Sequence, residues 1–130
     1  MKTLHLRVTV ITGNDDLRGG SWADFLLKIE GNPTPLEQRQ FTGTGGLGAR
    51  SSVSIDLRFS VPDDFEPHHI ENFQIRHVSQ EGFLQTADNW DLRLAVVDII
   101  PTPKPNIRIG ATGNWRFDGS HRVLSQASSI

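Results

Sequence analysis

Val53 Ser54 Ile55 Asp56 Leu57 Arg58 Phe59 is the stretch whose reading decides the fold. Val53, Ile55, Leu57 and Phe59 fall on one side of an extended chain, and Ser54, Asp56 and Arg58 fall on the other. Successive strand side chains point to opposite faces, so this period of two is the pattern of a strand with one buried face.

Working outward, the same alternation recurs. Leu4, Leu6, Val8 and Val10 interleave with His5, Arg7 and Thr9 until Gly13 and Asn14 break the pattern. From Trp22 to Ile29, Phe25, Leu27 and Ile29 share a side opposite Lys28, and Gly31, Asn32, Pro33 and Pro35 end the run. Phe73 and Ile75 alternate with Gln74 and Arg76. Leu92 to Ile99 is a longer β-branched run, compatible with burial on both faces. Ile107 to Ile109 and Trp115 to Phe117 are shorter candidates. No window carries a helical period. Short strands divided by Gly, Pro, Asn and Asp clusters predict an all-β sandwich or barrel.

The chain has 130 residues, enough to close one hydrophobic core, and reads as one domain. Pro101, Pro103 and Pro105 form a stiff connection inside that domain, because the residues beyond them are too few to bury a core of their own. Thirteen Lys and Arg stand against fifteen Asp and Glu, a net charge of -2 with no run of like charge, which speaks against nucleic acid as a partner. Arg7, Lys28, Arg58, Arg76, Arg93 and Arg108 are scattered singly and are expected to face solvent. There is no cysteine, which excludes disulfides, thiolate zinc sites and a cysteine nucleophile. His5 and Arg7 interrupt the apolar residues at the start, unlike a secretory signal, and no stretch approaches the roughly 20 apolar residues of a membrane span. The expectation is a soluble protein that begins in the cytoplasm.

Two segments carry a family resemblance. Val10 Ile11 Thr12 Gly13 Asn14, followed by Gly19 Gly20 Ser21 Trp22 Ala23 Asp24, resembles the opening of PLAT (lipoxygenase-homology) domains, in which a strand leads through Thr-Gly-Asp and a glycine-bearing loop to a second strand. Ile70 to His77, then Asn89 Trp90 Asp91 Leu92 and Val96 Val97, is similar to the later family pattern of strand, His-Asp, loop, Trp-x-Leu and strand. The resemblance implies an antiparallel sandwich of about eight strands that docks on lipid, protein or sugar-bearing partners and performs no chemistry itself. In calcium-binding members an Asp follows the glycine-rich turn where this chain has Trp22, and His-Asp becomes His77 Val78. With those two ligands missing, a rearranged calcium site from Asn14, Asp15, Asp16 and Asp24 is chemically open but is not the expected outcome, and no cofactor is expected.

Other constellations have plainer readings. Gly43, Gly45 and Gly48 match G-x-G-x-x-G, but they lead into the strand Val53–Phe59 and not into a helix that could hold pyrophosphate, so they read as a strand connection. His68 and His69 follow Asp63, Asp64 and Glu66. On a strand, adjacent residues point opposite ways, so this reads as a solvated acidic turn and not a metal cluster. His77 continues the side of Phe73 and Ile75 as a core-edge histidine. Ser21, His77 and Asp91 have no nucleophile elbow, and Asp15 with Asp88 is a carboxylate pair of unknown separation, so a small hydrolase ranks low.

The loops Gly13 to Ser21 and Val78 to Asn89 each leave the carboxyl end of a strand, and the resemblance places both at one end of the sandwich. Asn14, Asp15, Asp16, Arg18, Gln80, Glu81, Asp88 and Asn89 supply planar polar groups there, with Trp22 where a loop meets a strand. Trp90 is expected to point inward. A non-catalytic module that recognises a carbohydrate or protein partner at this end is the leading expectation. An assembly subunit joined through sheet edges is the alternative. Membrane docking ranks lower, since neither loop shows a basic patch or an exposed apolar run.

Overall fold

The computed structural model describes residues 1–79, 89–100, 107–118 and 121–130. Among these, eight strands form two antiparallel four-stranded sheets: β1 (Lys2–Thr12), β2 (Trp22–Ile29), β3 (Leu36–Gln38), β4 (Ser52–Val61), β5 (Ile70–Val78), β6 (Trp90–Ile99), β7 (Ile107–Phe117) and β8 (Val123–Ala127). One sheet has the order β4-β1-β6-β7 and the other β3-β2-β5-β8. Contacts between β7 and β8 close one side of the sandwich. Among the described residues no helix is long and apolar enough to cross a membrane.

The alternation read from the sequence is the burial pattern observed. Leu4, Leu6, Val8 and Val10 of β1 and Leu57, Phe59 and Val61 of β4 face the interior. They meet Ala23, Phe25, Leu27 and Ile29 of β2 and Phe73 and Ile75 of β5 in a single cluster. Phe25 stacks on Phe73 with ring centres 5.9 Å apart. Burying each such side chain contributes roughly 1.5–3 kcal/mol, and this supplies the cohesion that disulfides give in other small domains.

Several strand boundaries differ from expectation. Ile107–Ile109 and Trp115–Phe117 are the two ends of one continuous strand, β7, whose Gly110 and Gly113 do not break it. Gly113 is there because a Cβ at that position would collide with the carbonyl oxygen of Arg93 on β6. β3 and β8 were not expected; their alternation is too short to register. β6 is not buried on both faces: Trp90, Leu92, Ala95, Val97 and Ile99 are interior, while Asp91 and Asp98 are half-buried and Arg93 is exposed on the outer side. His68 and His69 lie on a short 3-10 turn, Pro67–His69, and not on a strand. Their rings do not point apart but sit 4.4 Å from centre to centre, and the Nδ1 of His69 accepts the Glu66 backbone N–H at 2.9 Å. The proline connection at residues 101–106 lies outside the described residues.

Candidate functional site

Four strand ends converge at the end of the first sheet. β1 runs out into Gly13 and Asn14, Arg50 precedes β4, Asp91 and Arg93 begin β6, and Asn114 and Arg116 end β7. Together they line an open basin of about 450 Å³. The construction starts at Gly13, whose N–H donates to the Asp91 carbonyl at 2.7 Å. A Cβ on Gly13 would sit 3.0 Å from the Asp91 Cβ, tighter than most side chains tolerate, so glycine permits the contact. The Asp91 N–H in turn donates to the Asp15 carbonyl at 3.0 Å, and the Arg50 N–H to the Gly13 carbonyl at 2.9 Å. The first loop is therefore sewn by its backbone to both β6 and the entry of β4.

A β-bulge shapes the floor. Ile11 of β1 pairs with Leu94, but Thr12 pairs with Leu92, so Arg93 is the extra residue on β6. A bulge bends its strand and re-aims the side chain it carries. Arg93 is exposed and makes no ion pair among the described residues. Asn114, opposite the bulge, has φ +53°, and Arg50 has φ +62°. Left-handed backbone is uncommon for residues with a Cβ, and two of the three such positions among the described residues line this basin.

The electrostatics are lopsided. Among the described residues three guanidinium groups, Arg50, Arg93 and Arg116, line the basin against one lining carboxylate, Asp91. Arg116 donates to Asp91 at 2.6 Å and to Asp15 at 3.0 Å, two contacts that hold its pKa above the usual arginine value, Asp91 contributing more. Among the described residues the Arg50 side chain donates to the neutral amide oxygen of Asn14, at 3.2 Å. Two of the three cations thus have no carboxylate partner among the described residues.

Behind the basin lies an aromatic block. Trp90 is fully buried, its Nε1 donates to the Thr12 hydroxyl at 3.2 Å, and its ring stacks on Phe117 at 5.1 Å. His77 is buried beside it, 6.0 Å from Trp90 and 5.7 Å from Phe117 between ring centres. Both residues therefore take the inward positions expected of them.

The residues anticipated from the sequence are not brought to one place. Asn14 lines the basin and Asp15 borders it through Arg116. Asp16 is exposed beyond them, and Asn89 is half-buried just before β6. Arg18 and Trp22 belong to the following turn and strand. The Arg18 carbonyl accepts the Ser21 N–H, and Trp22 is buried at the start of β2. Asp24 is committed elsewhere: it is 2 % exposed, one carboxylate oxygen accepts the Gln40 N–H at 2.8 Å, and the other accepts Arg76 at 2.9 Å. Of the four residues named for calcium, Asp24 is thus already neutralised inside the second sheet. Gln80, Glu81 and Asp88 lie outside the described residues. Among the described residues no group of three or more His, Asp or Glu side chains is arranged to hold a metal ion.

The glycine-rich segment has a structural role. Leu17 and Leu47 exchange backbone hydrogen bonds at 3.0 and 2.9 Å, and Gly20 donates to the Thr44 carbonyl at 2.8 Å. Gly46, at φ +82°, lies so close to Leu17 and Gly19 that a Cβ would meet the Leu17 carbonyl at 2.7 Å. The segment clasps the first loop.

Comparison with solved structures places this architecture. Crystal structures of lipoxygenase (LOX) deletion variants match it, one with a TM-score of 0.59 at 11 % identity over 98 % of this chain, another with 0.56 at 13 % over 99 %. The fold is PLAT-like. The chain spans only 16 to 17 % of the length of those lipoxygenases. No family model matches the sequence, and no curated protein matches it. The PLAT-like sandwich thus rests on its three-dimensional arrangement, in agreement with the resemblance carried by Thr12–Asn14 and Asn89–Leu92.

Proposed function

We propose that this PLAT-like domain is a non-catalytic recognition module whose arginine-lined basin takes an acidic carbohydrate. The observation that carries the reading is the surplus, among the described residues, of guanidinium groups over carboxylates in a concave site, with Arg93 re-aimed by a bulge and without an acidic partner among those residues. Guanidinium groups bind carboxylate and sulfate oxygens in bidentate geometry. Asn14 and Asn114 supply amides, and Asp91 a carboxylate, suited to hydroxyl groups. A volume of about 450 Å³ admits a ligand of one or two sugar rings.

The lipoxygenase likeness supports the non-catalytic part, since the matched portion of those enzymes is their small non-catalytic domain. Among the described residues the large exposed apolar side chains are Met1, Ile107, Val123 and Ile130, which do not form a run in any one loop, and this favours a polar ligand over a lipid surface. An array of neutral, uronic, sialylated and sulfated glycans, run beside liposome sedimentation with and without calcium, tests the reading. Binding to acidic glycans that falls at least tenfold in Arg93→Gln is expected. Binding to liposomes alone, or equal binding to neutral glycans, would overturn it.

A further inference from the structure

We infer that two copies of this chain pair along the free edge of β4, merging their first sheets into one continuous sheet. β4 is the outer strand of its sheet and runs Ser52–Val61 without a bulge in its ladder to β1. Edge strands are commonly protected by proline, charged side chains (lysine above all), a bulge or shortness. β4 is long and regular, contains neither proline nor lysine, and its two charges, Asp56 and Arg58, are of opposite sign.

The orientation of its backbone groups follows from the ladders on either side of β1. Ile100 N–H donates to the His5 carbonyl, so His5, Arg7 and Thr9 turn their backbone groups toward β6, while Leu4, Leu6, Val8 and Val10 turn theirs toward Phe59, Leu57, Ile55 and Val53 of β4. By alternation, Ser52, Ser54, Asp56, Arg58 and Ser60 turn theirs to the open edge. A symmetric antiparallel pairing sets these open-edge residues opposite one another, so its axis lies at a single residue. Centring on Asp56 or on Arg58 would set like charges face to face. Centring on Leu57 sets Asp56 opposite Arg58 of the second copy, and Arg58 opposite its Asp56, with Ser54 opposite Ser60 on either side. The edge is therefore self-complementary in one register, as an isologous interface requires. Opposite-charge pairs across strands are favourable and like charges are not.

Two further observations agree. Arg58 is exposed and has no carboxylate partner among the described residues, and Asp56, although it accepts Arg7 at 2.8 Å, keeps 36 % of its side chain exposed to meet a second cation. On the inner side, Leu57, Phe59 and Val61 are buried, but Val53 and Ile55 are only half-buried, and β3, the edge strand of the other sheet, has just three residues to cover them. The second copy would bring its own Phe59 and Val61 across from Ile55 and Val53.

The test is molar mass by light scattering and sedimentation across a wide concentration range, on the wild-type chain and two variants. Arg58→Asp places Asp56 opposite an aspartate at both symmetric positions. Ser60→Pro removes an N–H from the open edge without touching the ladder to β1. A wild-type dimer whose dissociation constant rises at least tenfold in both variants, with unchanged far-ultraviolet spectra, is expected. If Ser60→Pro fails to fold, Arg58→Asp alone decides. A wild-type chain that stays monomeric throughout, or a dimer indifferent to Arg58→Asp, would overturn the pairing.

Discussion

Two arginine clusters in this molecule use the same side chain to opposite ends. On the second sheet, Arg76 is held by Asp24 at 2.9 Å and Glu37 at 2.7 Å, one cation between two carboxylates. Its pKa is raised, chiefly by the hydrogen bond to Asp24. In the basin, among the described residues, Arg50, Arg93 and Arg116 share less negative charge, and of the three Arg116 alone reaches a carboxylate. The first cluster is complete and ties β2, β3 and β5 together; the second, among the same residues, has more cations than anions. The balance of carboxylates to guanidiniums separates a structural arginine from one left free to meet a ligand.

The largest effect is expected where the basin rests on the core. Trp90→Ala removes the ring stacked on Phe117 and the donor to Thr12, and should cost about 3–5 kcal/mol in urea unfolding followed by circular dichroism. Next, Asp24→Ala strips Arg76 and the Gln40 N–H of their buried acceptor. A loss of roughly 1–3 kcal/mol is expected, with acidic-glycan affinity unchanged. A matching loss of affinity would erase the distinction between the clusters. Arg50→Gly keeps the left-handed backbone at that position and relieves up to about 1–2 kcal/mol of strain, so the melting temperature should hold or rise while glycan binding weakens.

The smallest effect concerns a surface pair that resembles the Arg76 cluster without its burial. The hydrogen bond from Arg7, with a lesser contribution from charge, holds the Asp56 carboxyl below the usual carboxylate range. A carboxyl whose folded pKa is depressed stabilises the fold above its unfolded pKa of about 3.9, and the contribution disappears as pH falls through the lower folded value. Asp56→Asn should therefore remove a small increment of stability at pH 7 and none well below pH 3, as read by melting temperature against pH. An equal effect at both pH values would contradict the pair.

Much of the architecture was legible because it depends on local alternation. Val53–Phe59, Leu4–Val10 and Phe25–Ile29 each announce a buried face, and the resemblance at Thr12–Asn14 and Asn89–Leu92 located the end of the sandwich where the basin forms. The basin's cations were harder to see. Arg50 and Arg116 lie 66 positions apart in sequence and meet only after β4 and β7 have been placed at opposite edges of one sheet. Arg93 reads as one more solvent-facing strand residue. A signal was nevertheless present in the phase of β6, where buried Trp90 and Leu92 are followed by Ala95, Val97 and Ile99, a one-residue slip that marks the bulge. Asp24 was misleading for the converse reason. Its neighbours in sequence suggest a loop ligand, while its partners, Arg76 and Gln40, come from other strands and turns.

Titration of the isotopically labelled chain with an acidic glycan, followed by amide chemical shifts, is the most direct trial of recognition at the basin. Shifts concentrated at Gly13, Asn14, Arg50, Asp91, Arg93 and Asn114, and lost in Arg93→Gln, are the predicted result. Shifts centred on β2 and β5 around Asp24 and Arg76, or a pattern unaltered by Arg93→Gln, would contradict it.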